Sequence, residues 1–145
     1  ITWYIIGRNA TPKMHEMAAK HENVILTGFV DDLYGLVSRI PVMINPMQMG
    51  GGLKNKVLEA FALKRIVISN ALGIEAISAQ SGVHYVHAET PEQFADAVLD
   101  YSYPDERNTL IGQNARKLID QVYTWQQVSR QYLRLIENTL TPVSG

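Results

Sequence analysis

The chain contains no cysteine, which excludes disulfides, thiolate metal sites and a cysteine nucleophile and suits a reducing compartment. It also lacks any apolar run near the roughly 18 residues needed to span a bilayer, and no secretory leader pattern is visible. Neither sign of charge is in excess: 13 Lys and Arg stand against 14 Asp and Glu, a formal net charge of -1. The broad positive field of a nucleic-acid or acidic-membrane binder is therefore missing, although a local basic site survives that balance. These absences lead us to expect a cytosolic protein with no nucleic-acid partner.

What is present fits one ordinary domain. The 145 residues are 46% hydrophobic and 19% charged, enough apolar material for a real core and far from a disordered composition. The chain opens at Ile1 inside an apolar run without an initiator Met, which we read as part of a longer protein.

Hydrophobic patterning alternates strand and helix. Thr2 to Ile6, Val24 to Thr27, Pro41 to Asn45, Arg65 to Ser69 and His84 to Val86 are short β-branched or apolar runs ended by Gly or Asn, the pattern of buried strands. Between them, Thr11-Pro12 opens a helix with Met14, Met17, Ala18 and His21 on one core-facing stripe, and Asp31 or Asp32 caps a short second helix. Residues 53 to 63 form a third helix, and Thr90-Pro91-Glu92-Gln93 is a capping box for a fourth. Helices at about 105 to 121 and 124 to 139 follow, the last turning Trp125, Val128, Tyr132, Leu135 and Ile136 inward. Such alternation predicts an α/β fold: a Rossmann-like, doubly wound parallel sheet in three α/β/α layers, with ligands bound at the carboxyl ends of the strands.

The most informative stretch is GGGLKNKVLEAFA, residues 50 to 62, between the third strand and its helix. Gly50, Gly51 and Gly52 let a ligand approach the main chain, and their amides join the free donors at the helix start, an arrangement suited to a phosphate. Lys54 and Lys56 oppose the helix dipole there, a conflict that a bound anion resolves. A flexible glycine loop beside exposed lysines would also fit the pattern. Glu59, among apolar neighbours, either pairs with Lys56 on the helix surface or points to ligand hydroxyls, since a sugar diol offers two donors to its two oxygens.

Other chemistries lack their residues. There is no G-x-G-x-x-G after the first strand, no Walker loop and no G-x-S-x-G elbow. His15, His21, His84 and His87 have no metal-ligand spacing, so we expect no metal.

The string GGGLKNKVLEAFALKRIVISNALGIEAI resembles the donor-site segment of retaining family 4 glycosyltransferases, the GT-B type with two Rossmann-like domains. Tyr4-Ile5-Ile6-Gly7 looks like the second strand of their C-terminal domain, Leu26 to Leu33 like their G-x-V-x-D-L segment, and Tyr123-Thr124-Trp125 like their closing Y-[ST]-W. The resemblance spans essentially the whole chain and is nearest to bacterial surface-polysaccharide sugar transferases. It implies the donor-binding C-terminal half of a GT-B fold, lacking its first strand-helix unit and therefore its central strand.

By position, the resemblance implies that Glu59 is the second Glu of the family's Glu-x7-Glu motif and binds the donor ribose, while Gly51 replaces the first, which touches the donor sugar. Sugar contacts then fall to the amides of Gly50 to Leu53 or to Lys54. Gly28 and Val30 match the segment that meets the nucleobase, with Asp32 the adjoining acidic position. Lys54, Lys56 and the glycine amides are the candidates for catalysis, stabilising the departing diphosphate electrostatically. The implied reaction transfers a hexosyl group from a nucleoside-diphosphate sugar to an acceptor hydroxyl with retention, in polysaccharide or glycolipid synthesis, without metal or other cofactor. The acceptor belongs to an N-terminal domain outside this chain, so we expect no turnover by the chain alone, and the parent can associate peripherally with the inner membrane face. Rival readings are a nucleotide-sugar 2-epimerase of the same fold, a degenerate nucleotide-binding module, and a flavodoxin-like interaction domain; a receiver would need acidic residues where Gly7-Arg8 and Asn45-Pro46 stand.

Overall fold

A computed structural model describes residues 1–140. The order is β1 (Trp3–Ile6), α1 (Pro12–Lys20), β2 (Val24–Gly28), α2 (Leu33–Val37), β3 (Val42–Asn45), α3 (Asn55–Ala62), β4 (Ile66–Ser69), α4 (Ala71–Ile74), β5 (Val86–His87), α5 (Pro91–Tyr101), α6 (Glu106–Leu118), a π-helical turn (Ile119–Tyr123) and α7 (Trp125–Leu140). Every expected element is present within a few residues of its place. The short α4 and the π-helical turn were not anticipated.

All strand pairs are parallel, but the described residues form two sheets, β1-β2 and β3-β4-β5, rather than one. The chain correspondingly divides into two units, Ile1–Leu36 and Val37–Gly145.

In the first unit α1 connects β1 to β2. Thr11 Oγ1 accepts from the Met14 N–H (3.3 Å) and Pro12 occupies the first turn, as the dipeptide requires. The stripe Met14, Met17 and Ala18 is only half-buried and His21 is exposed, so it is not the closed core face that the spacing predicts. Gly28 ends β2 with φ +63, a left-handed turn that glycine makes without strain. Asp32, not Asp31, sits at the start of α2, its Oδ1 accepting from the Gly35 N–H at 2.8 Å.

The second unit has three layers. All four residues of β4 are buried, as a parallel strand covered on both faces must be. Val67 faces a cluster with Val57, Ala60 and Phe61 of α3 and Ala115 and Leu118 of α6. Ile66 and Ile68 face the opposite cluster, with Val86, Ala97 of α5 and Ile111. A Cβ on Gly112 would lie 2.5 Å from the Lys64 carbonyl oxygen, so this glycine lets α6 seat against the turn before β4. The capping box is formed: Thr90 Oγ1 accepts from the Gln93 N–H and Gln93 Oε1 from the Thr90 N–H, both at 3.3 Å.

Helix α7 departs from expectation. Trp125 is 86% exposed and Tyr132 65%, and Val128, Leu135 and Ile136 are also exposed. The amphipathic pattern is real, but among the described residues the apolar stripe is left accessible.

Candidate functional site

The candidate site stands on the carboxyl ends of β3 and β4. Asn45 and Ser69, the last residues of those strands, are both buried, where polar atoms are as a rule paired; Asn45 Oδ1 is the exception, with no partner among the described residues. Asn45 Nδ2 donates to Ser69 Oγ (3.1 Å) and to the Gly73 carbonyl (3.3 Å), and Ser69 Oγ donates to the Asn45 carbonyl (3.3 Å). A Cβ at Gly73 would collide with Ser69 Oγ and the Asn45 amide; glycine there is what allows α4 to close over the pair. Asn70 ties the two strand exits together: its Oδ1 accepts from the Met47 N–H (3.3 Å) and caps α4 at the Gly73 N–H (3.1 Å), while Nδ2 donates to the Met47 carbonyl at 2.6 Å.

Above this base runs the glycine loop. Gly50 and Gly52 have φ of +101 and +76, where other residues are strained, whereas Gly51 does not lie in that region. Two of the three glycines are thus demanded by the backbone, and the third is not.

The loop is organised by Lys54. Sequence reasoning aimed this side chain at the departing diphosphate; instead it folds inward and is only 9% exposed. Its Nζ donates to the Gly50 and Gly52 carbonyls at 3.0 and 2.8 Å and lies 3.8 Å from Glu75 Oε1. The reason is that a buried ammonium must be surrounded by acceptors, and the tight loop offers two carbonyl oxygens. There are no cis peptide bonds, and in a trans peptide the N–H points opposite to the preceding carbonyl. With the carbonyls of Gly50 and Gly52 drawn onto Lys54, the amides of Gly51 and Leu53 point away from it, and both residues are exposed. Lys54 therefore acts through the main chain, turning donors outward.

Helix α3 continues the site. Its first turn has no side-chain cap, so the unpaired donors of a helix start remain open to a ligand. Val57, Ala60 and Phe61 bury one face, which leaves Lys56 and Glu59 on the exposed side. Lys56 Nζ rests 3.6 Å from Met47 Sδ, a weak contact. The second unit thus brings together Gly50, Gly51, Gly52, Leu53, Lys56 and Glu59, with Lys54 beneath them. Gly28, Val30 and Asp32 belong to the first unit, where the Arg8 guanidinium lies 4.3 Å over the Phe29 ring.

Sequence reasoning missed Asn45, Ser69, Asn70 and Gly73 as a foundation and Glu75 as the neighbour of the loop. The signal available was small polar residues ending two otherwise apolar strands. Of the histidines without metal-ligand spacing, His84 Nδ1 accepts from the Gln80 N–H (3.0 Å), and His87 lies 3.4 Å from Glu89. Among the described residues no group of three or more His, Asp or Glu could hold a metal, and no helix is long and apolar enough to cross a membrane.

Known proteins agree with this architecture. The structure is similar to HepE from Anabaena, solved with UDP (TM-score 0.83, 13% identity, 95% of this chain and 41% of that one). It is also similar to a glycosyltransferase from Rickettsia africae (0.81, 18%, 98% and 41%). A third is a point mutant of TarM from S. aureus, solved with Fondaparinux, alpha-GlcNAc-glycerol and UDP (0.77, 20%, 93% and 29%). The chain therefore spans about two fifths or less of the length of these proteins. No curated protein matches. The family of group 1 glycosyl transferases matches residues 1–102, most of the chain and all of the glycine loop, and the chain belongs to that family.

Proposed function

We propose that this chain is the donor-binding half of a retaining, family 4 type hexosyltransferase that takes a nucleoside-diphosphate sugar. The carrying observation is the loop at 50 to 53, whose amides Lys54 turns outward beside the uncapped start of α3. There the diphosphate accepts hydrogen bonds from Gly51 and Leu53, Lys56 supplies the mobile positive charge, and Glu59, further along the same helix, accepts from the ribose hydroxyls. As the sugar leaves, negative charge builds on the diphosphate, and donors already aimed at it lower the barrier without reorganising. The UDP complexes of similar proteins support uridine as the first base to try.

In the longer protein the sugar passes to an acceptor hydroxyl in polysaccharide or glycolipid synthesis, on the cytoplasmic side and at the inner membrane face. The chain alone then binds donor without turnover. Calorimetric titration with UDP, GDP and their glucosyl and mannosyl esters tests the reading. We expect Lys56→Ala and Glu59→Gln each to weaken the preferred donor about tenfold, the size of one charged hydrogen bond; no heat with any of them refutes it. Product analysis with and without acceptor separates transfer from 2-epimerisation.

A further inference from the structure

We infer that Glu75 supplies the carboxylate that grips the sugar moiety of the donor, in the space beside Gly51; this rests on the nucleotide-sugar reading above. Glu75 follows α4 directly, on the β4 side of the site, far in sequence from the loop it approaches. A Cβ on Gly51 would stand 3.9 Å from Glu75 Oε1, so the carboxylate occupies the room adjoining that position. Its side chain is 45% exposed, and Gly51 itself is open to solvent.

Three features argue that the carboxylate serves a ligand. A negative side chain at the carboxyl end of a helix is disfavoured by the backbone dipoles, so the helix itself does not place it there. Its partner Lys54 is held by two carbonyls at 3.0 and 2.8 Å and stands off at 3.8 Å, beyond hydrogen-bond range, so the pairing leaves acceptor capacity on the carboxylate. Gly51 adjoins the outward amides and has no side chain to block the path from them to Glu75. A diphosphate on those amides thus has a carboxylate within about one sugar's reach, and the two oxygens of a carboxylate can accept from a pair of neighbouring hydroxyls. Hydroxyl-directed contacts of this kind discriminate between sugars, because an analogue with a misplaced hydroxyl leaves the acceptor unpaired once the sugar has covered it.

The test uses the full-length protein and UDP against UDP-glucose, with GDP against GDP-mannose in parallel. Glu75→Gln should weaken the sugar nucleotide about tenfold and change the free diphosphate less than twofold. Adding Gly51→Glu, which the backbone at 51 accommodates, should restore most of the sugar nucleotide affinity. Lys54→Met serves as the comparison for a disordered loop and should weaken both ligands alike, with a melting curve to confirm folding. If Glu75→Gln changes neither ligand, or weakens both equally in the manner of Lys54→Met, Glu75 only braces the loop and the inference is overturned. A wild-type protein that binds none of the four compounds overturns the nucleotide-sugar reading, and this inference with it.

Discussion

Three adjacent glycines that look equivalent in the sequence do different jobs. Gly50 and Gly52 carry positive φ, and Gly51 does not. Replacing Gly50 or Gly52 by Ala forces a side chain into a left-handed conformation at about 1–2 kcal/mol, whereas Gly51→Ala meets only ordinary contact. We expect the first two variants to melt lower and bind UDP less well and the third to match wild type in both; equal losses at all three positions would show that loop mobility, not its shape, is what matters. The direction of Lys54 could not be read in advance. Spacing places a lysine at a helix start, but whether its ammonium turns out to an anion or in to carbonyls depends on how tightly the loop closes. Glu75 was hidden for a related reason: its relevance comes from a neighbour across the strand ends.

Elements were legible in proportion to how local their causes are. The Thr90 to Gln93 capping box and the Thr11-Pro12 start are written within four residues and formed as read. The apolar stripe of α7 was equally plain, yet periodicity tells only that a face is apolar and not what covers it. Because the stripe is accessible, replacing Tyr132 and Leu135 together by Ser and Gln should change unfolding free energy by no more than about 0.5 kcal/mol, while reducing binding of a hydrophobic dye. Were those side chains inward, as the sequence suggested, the same pair would cost several kcal/mol. Urea unfolding of the double variant decides between the two.

At the scale of the whole molecule, stability should follow pH through His84. Burial holds its imidazole below the ordinary value of 6.5, and Nδ1 is spent as an acceptor for the Gln80 N–H. Protonation therefore favours the unfolded chain, which binds more protons in this range. Stability is full above about 6.5, declines as pH falls through that value, and levels off below the depressed native value. His84→Asn, which keeps an acceptor for Gln80, should flatten the profile between pH 7.5 and 5.5 in urea titrations; an unchanged slope would assign the pH dependence elsewhere. The α/β class and parallel pairing were legible because alternating runs and turns encode them. The separation into two sheets was not, since strand order is a non-local property.

The inward lysine has one more consequence. A cation enclosed by its own loop is insulated from dissolved counterions, whereas Lys56, in the open, is not. Raising ionic strength should therefore slow and weaken the capture of a charged nucleotide while leaving the cradle that receives it in shape, so that brine changes how strongly the anion is drawn and not where it comes to rest.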